Sequence, residues 1–225
     1  MALFHNLFKY IFDLFIALIL LVPVVFFSMV IGIVIKLESH GPVFFKQKRF
    51  GKHNKPFVMY KFRTMVKDAE KQRGSLEQKN EAEGFLFKLT EDPRETKFGR
   101  KLRNIGLDEV PQIFNVLKGE MSFVGPRPLP VNDVNFEKLR ANPNQYRQWE
   151  IRELAKPGIT GLWQVNPGEH SFEEMLDMDE KYVTEYSLIS DLNIFLKTVM
   201  MALRGVFPGL FARAGKKKLI EDKNI

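Results

Sequence analysis

Arg103, Asp108, Glu109, Pro111 and Gln112 fall within one short stretch and are the residues best suited to chemistry in this chain. Proline is tolerated near a helix start, so Pro111 sets Asp108 and Glu109 in the first turn of a helix. Unpaired N–H groups and the positive end of the helix dipole gather there, which keeps a carboxylate ionised and ready to attack. Adjacent helical side chains project about 100° apart, so one carboxylate can attack while the other holds a metal ion. Arg100, Lys101 and Arg103 lie just upstream, and Arg127 is fixed between Pro126 and Pro128. Cations around a carboxylate pair point to a metal and phosphate site. Lys61 and Arg63 alternate on a β-prone run and share one face, where they could clamp phosphate. The plainer alternatives are helix-start acids that stabilise a dipole and a solvated strand face.

Other chemistries have little support. The chain of 225 residues has no cysteine, which excludes a thiol nucleophile, a disulfide framework and Cys-ligated zinc. His5, His40, His53 and His170 are far apart and lack metal-ligand spacing. Neither a P-loop nor a dinucleotide fingerprint is present. A net charge of +7 raises the question of nucleic acid. The basic residues sit beside apolar segments, however, and no nucleic-acid motif accompanies them, so no nucleic-acid partner is expected.

The elements that must carry these residues can be read from pattern. Leu14 to Ile35 is apolar and uncharged, with Pro23 near its middle. As a helix it would be about 33 Å long, enough to cross a bilayer core. Lys36, Lys46, Lys48, Arg49, Lys52 and Lys55 follow it and hold that end in the cytoplasm, while only Lys9 precedes it. Two topologies are compatible: a single span, or a helix kinked at Pro23 that enters and leaves by one face. Phe4, Leu7, Phe8 and Ile11 form an amphipathic lead-in.

Val43 to Arg49 and Phe57 to Arg63 flank turn residues and read as a β-hairpin. Helices are expected at Lys97 to Asn104, Leu107 to Leu117 and Ser171 to Tyr186. A polar helical region over Asp133 to Trp149 is interrupted at Pro143. The C-terminal stripe of Leu192, Phe195, Val199, Met200, Leu203, Val206 and Phe207, followed by Phe211, Arg213 and Lys216 to Lys218, suits a membrane interface carrying anionic lipid. The fold class is mainly α with a small β-hairpin. Its organisation is an N-terminal membrane anchor (1–38), a cytoplasmic catalytic domain (39–190) and an amphipathic interface helix with a basic tail (191–225).

Taken together, these blocks resemble the bacterial sugar transferases, the monotopic phosphoglycosyl transferases. The resemblance rests on Gly41 to Arg49, Tyr60 to Met65, Leu107 to Gln112, Asn115 to Ser122, Val124 to Pro128, Pro157 to Gly161 and Gln164 to Asn166, in that order. It implies transfer of a phosphosugar from a UDP-sugar to undecaprenyl phosphate with release of UMP, the first membrane step of lipid-linked glycan assembly. It also implies that Asp108 is the nucleophile of a covalent phosphosugar intermediate and Glu109 an Mg²⁺ ligand. Lys61, Arg63, Arg103, Arg127 and Gln164 are then phosphate- or substrate-binding candidates. The N-terminal helix is re-entrant in that family, which favours the kinked topology and a catalytic domain on the cytoplasmic face of a bacterial inner membrane. The bilayer is an expected partner, with downstream glycosyltransferases as candidates. Relatives often have Ser where Val22 precedes Pro23, and the Leu162-Trp163-Gln164 loop also departs from the common pattern. The alternative from another class is a catalytically inactive scaffold for glycan-assembly enzymes. An intact Asp108–Glu109 pair with Arg103 and Arg127 argues against it.

Overall fold

A computed structural model describes residues 2–81, 87, 89, 91–166, 171–185 and 187–206. The side chain of Phe4, and His170, Tyr186, Phe207, Phe211, Arg213 and Lys216 to Lys218, lie outside that set.

Helix α1 runs without a break from Ala2–Glu38 and contains Pro23. Most of its apolar side chains face outward: Val22 is 76% exposed and Phe26 60%. A core helix of a soluble domain would bury that surface, so this helix has the length and composition to sit in a membrane. One side is nevertheless docked. Asp13 accepts bonds from Ser122 Oγ at 2.6 Å and from the Phe123 amide. Lys9 pairs with Asp191. Ala17 and Ile35 are fully buried.

Strands β1 (Phe44–Phe50) and β2 (Pro56–Phe62) form the expected hairpin. Phe45 faces Lys61, Gln47 faces Met59 and Arg49 faces Phe57. These pairs make the inner face, because β side chains alternate. His53 and Asn54 in the turn take left-handed backbone angles.

Short helical turns follow, including α2 (Arg73–Leu76). Helix α3 (Lys97–Asn104) is capped by Thr96, whose hydroxyl accepts the Gly99 amide at 3.0 Å. Leu107–Gln112 is a 3-10 turn that leads into α4 (Ile113–Leu117). The expected single helix over Leu107 to Leu117 is therefore two pieces. Pro111 lacks the N–H an α-helix interior needs, and the tighter turn suits it.

Strand β3 (Ser122–Val124) pairs in parallel with β4 (Gly158–Thr160). This second small sheet was not anticipated, because three-residue strands leave no alternation to read. The backbones approach closely there: a Cβ on Gly158 would lie 2.1 Å from the Gly125 nitrogen. Between them lie α5 (Phe136–Arg140) and α6 (Pro143–Arg152). Asn142 caps α6 and Pro143 occupies its first turn, so the proline that interrupts the polar region also begins a helix.

Helix α7 (Phe172–Thr184) starts with a reciprocal Ser171–Glu174 capping box. Helix α8 (Leu188–Val206) ends the described chain, with Leu192, Leu196 and Met200 half exposed.

Three apolar clusters hold these parts together. Met59, Ile113, Val116, Met121 and Val124 join the hairpin, α4 and β3, with Ala17 of α1 and Ile194 of α8 packed in. Trp149, Leu139, Met175 and Leu176 join α5, α6 and α7. Phe62, Leu102 and Ile35 fasten the end of α1 to α3 and β2.

Candidate active site

Gly106, at φ +73°, turns the chain out of α3 and into the 3-10 turn that carries Asp108 and Glu109. At three residues per turn the two carboxylates project about 120° apart, rather than the angle of an α-helix. Asp108 is 6% exposed. Glu109 Oε1 accepts from Lys61 Nζ at 2.6 Å and from Arg127 Nη2 at 2.9 Å. Strand β2, the 3-10 turn and the loop after β3 thus meet at one carboxylate oxygen.

Asn115 holds this meeting point in register. It is fully buried, donates to the Val58 carbonyl and to Glu120 at 2.7 Å, and accepts the Tyr60 amide. The strand that carries Lys61 is thereby fixed beside the helix that follows Glu109. Arg49, Gln112, Gly158 and Ile159 join Lys61, Glu109 and Arg127 around a small cleft.

The charges are unevenly matched. Burial would raise the Glu109 carboxyl, but Arg127 and Lys61 outweigh it and hold it at about 2. Asp108 moves the other way. Burial pushes it up, Lys61 lowers it, and the Glu109 charge raises it further. A helix start alone would leave Asp108 readily ionised; desolvation works against that here. Burial pushes the Lys61 ammonium down, against the pull of Glu109. Arg49 is brought to about 9 by burial and by the nearby Arg127 guanidinium. Several cations crowd two carboxylates, which is the electrostatics of an anion site.

The structure brings together Lys61, Asp108, Glu109 and Arg127. The other candidates lie differently. Arg63 turns toward α1: its guanidinium donates to the Ser39 carbonyl at 2.7 Å, the Ser39 hydroxyl and the His40 carbonyl. It satisfies carbonyls left open where α1 ends. Alternation puts Arg63 on the face of Lys61, but the end of α1 lies over that position. Arg103 pairs with Glu95 at 2.7 Å, half exposed, although its charge reaches Asp108. Gln164 donates to the carbonyl of Ile159, a cleft-lining residue, at 3.0 Å. Two residues of the neighbourhood escaped the sequence reading. Arg49 enters the sequence reading as topogenic charge, a strand residue and part of a family block but not as a site residue, though strand alternation sets it on the inner hairpin face. Trp163, in a loop that departs from the family pattern and could bear on sugar or nucleotide recognition, has its ring centroid 5.9 Å from the Arg127 guanidinium.

Among the described residues, no three or more His, Cys, Asp or Glu side chains converge as a full metal cage. Mg²⁺ needs none, since one or two carboxylates plus substrate phosphates suffice. Both ion pairs of Glu109 end on Oε1, so Oε2 is the donor that suits a hard cation. The residues present fit that ion.

A family model described as bacterial sugar transferase matches residues 4–205. A galactosyl transferase of Streptococcus agalactiae is 42% identical over 171 residues, covering 75% of this chain and 36% of the relative. An uncharacterised sugar transferase of Bacillus subtilis is 40% identical, covering 76% of this chain and 74% of the relative. A UDP-glucose:undecaprenyl-phosphate glucose-1-phosphate transferase of Escherichia coli is 39% identical, covering 75% of this chain and 34% of the relative. The chain thus spans about a third of two of these relatives and about three quarters of the other.

Proposed function

The chain belongs to the bacterial sugar transferase family, and we propose that it transfers a phosphosugar from a UDP-sugar to undecaprenyl phosphate, releasing UMP. The observation that carries the proposal is the buried Asp108 next to a Glu109 held by Lys61 and Arg127, on a domain docked along an apolar helix. The substrates named for the E. coli relative supply donor and acceptor of matching chemistry.

In the first half-reaction an Asp108 carboxylate oxygen attacks the sugar-bearing phosphorus. The phosphorus–oxygen bond to UMP breaks, and its electron pair leaves on the UMP phosphate. Lys61 and Arg127, which meet at Glu109 beside Asp108, would stabilise that growing negative charge, and in a dry site their pull is strong. Glu109 is the residue that would hold Mg²⁺, and the ion would supply further charge neutralisation there. In the second half-reaction a phosphate oxygen of undecaprenyl phosphate attacks the same phosphorus and returns Asp108 to its carboxylate. A covalent intermediate lets a water-soluble and a lipid-borne substrate use one site in turn.

The re-entrant topology belongs to this proposal. Lys9 and Asp13 near the start of α1, and Ile35 and Ser39 near its end, contact the same globular part. Asp13 and Ile35 would be about 33 Å apart on a straight helix. A single span would carry one anchor to the far side of the bilayer, away from its partner. Docking at both ends supports a helix that stays on one face, and the basic residues that follow it favour the cytoplasmic side.

The test is UMP release from a panel of UDP-sugars with undecaprenyl phosphate, for wild type and Asp108→Asn. Wild type should turn over, and the variant should lose at least about a thousandfold. With UDP-sugar alone, the Asp108 peptide should gain one phosphosugar mass. A variant that keeps a tenth of the wild-type rate overturns the nucleophile. An inactive wild type with every donor favours the scaffold alternative.

A further inference from the structure

The loop that presents Arg127 is pinned by its carbonyls. Four in a row accept hydrogen bonds: Pro126 from the Gly158 amide at 2.9 Å, Arg127 from Arg152 Nη2 at 2.7 Å, Pro128 from Arg49 Nη1 at 2.8 Å and Leu129 from the Phe50 amide at 3.0 Å. Prolines at 126 and 128 have no N–H to donate, so the carbonyls are the handles by which this loop can be held. Two of the four are held by arginine side chains from different elements, the half-buried Arg49 of β1 and the buried Arg152 of α6.

Arg152 is itself fixed. It is 5% exposed, and its Nε donates to Asp179 Oδ2 on α7 at 2.9 Å, with Asp179 1% exposed. Its guanidinium also lies over the Trp149 ring, 4.8 Å from the centroid. Arg49 donates its second terminal nitrogen to Gln47 at 2.6 Å. Neither arginine takes part in the reaction scheme above. A buried charge pair is a costly way to join two helices, and apolar residues would serve as well. Its geometry is specific: only a rigid planar fork can bond Asp179 through one nitrogen and the Arg127 carbonyl through another.

We propose that Arg152, oriented by Asp179, and Arg49 are positioning residues. Together they fix the backbone of Arg127 so that its guanidinium stays at Glu109, where the diphosphate is to bind. The inference rests on the proposed function for its kinetic consequence, but not for its structural one. Small displacements of a charge-stabilising group cost rate steeply, of the order of a hundredfold for about 1 Å.

Arg152→Lys keeps a cation beside Asp179 but cannot reach both partners. It should lower kcat/KM for UMP release at least about tenfold. In an Arg127→Ala background the same substitution should cost less than about twofold, because residues that act through one another are not additive. Arg49→Lys should behave alike, and serves where Arg152→Lys melts early. Hydrogen exchange supplies an arm that does not depend on activity. The Gly158 and Phe50 amides, which bond the loop carbonyls, should exchange faster in Arg152→Lys while α7 amides are unchanged. Equal losses with and without Arg127 would overturn the kinetic role. Exchange that rises uniformly, or not at all, would overturn the positioning itself. If wild type released no UMP with any donor, the proposed function would fall, and the exchange arm would still decide this inference.

Discussion

Asp108 and Glu109 are neighbours in the chain, yet burial and charge move their carboxyls in opposite directions. Glu109 gains two cationic partners and stays ionised down to about pH 2. Asp108 is raised above its ordinary value of 3.8 by desolvation, with Lys61 pulling it back. Splitting a carboxyl pair in this way assigns different duties to chemically similar groups. The nucleophile must be ionised, so the acid limb of kcat/KM should lie above 3.8. It should move up in Lys61→Ala, which removes the main lowering charge, when UMP release is followed from pH 4 to 9. A limb that moves down contradicts the assignment. Glu109, ionised throughout that window, is free to hold a cation. EDTA should stop turnover, Mg²⁺ should restore it, and Glu109→Gln should raise the Mg²⁺ requirement at least about tenfold, in line with loss of a hard oxygen ligand. Full turnover in excess chelator refutes the metal role.

The hairpin is the element that delivers Lys61 and Arg49, and its turn is clamped to the end of α6. The His53 amide bonds the Glu153 carbonyl at 2.9 Å, Asn54 bonds the Glu153 carboxylate, and the Trp149 indole bonds Asn54 at 3.3 Å. Burial raises the Glu153 carboxyl to about 7, with Trp149 and Arg152 partly opposing. A carboxyl raised on folding binds its proton more tightly in the native state. Its contribution is therefore greatest below 4.5 and is lost as pH rises toward 7. Glu153→Gln keeps the shape without the titration. Thermal melts should show the variant more stable than wild type at pH 8 by about 1 kcal/mol, or about 2–4 °C for a chain of this size, with no gain at pH 4.5. A gain of equal size at both values would point to packing instead of ionisation.

At the scale of the whole molecule, the domain lies along its long apolar helix rather than hanging from one end. Lys9 with Asp191, Asp13 with Ser122, and Arg63 with Ser39 are three fastenings spread along α1. Asp191 is also bonded by Tyr182 at 2.8 Å, so α1, α7 and α8 converge on one carboxylate. A chain with no native cysteine is well suited to labelling. Cysteines introduced at Ala2 and at Ser39 should both be shielded from an impermeant thiol reagent in intact cells and react after lysis. External labelling at Ala2 establishes a single span. Pro23→Ala should shift the Ala2 site toward external labelling, because an unkinked apolar helix of this length prefers to cross.

Local chemistry was legible in the sequence wherever the cause is local. Leu14 to Ile35 announces itself by length without charge. The basic run from Lys97 reads as α3, alternation about a turn as the hairpin, and the stretch from Ser171 as α7. The Asp108–Glu109 pair and its family blocks were equally plain, because both are contiguous strings. Partnership across the chain was not. Arg63 and Lys61 have the same alternation, yet one meets the end of α1 and the other meets Glu109. Nothing within two residues of either distinguishes them. The raised Asp108, the three-residue parallel pair and the grip of Arg152 and Arg49 on the Arg127 loop each depend on segments tens of residues apart. Desolvation and hydrogen-bond geometry are set by what packs against a group. For these residues that is fixed only when the hairpin, the 3-10 turn and α6 come together.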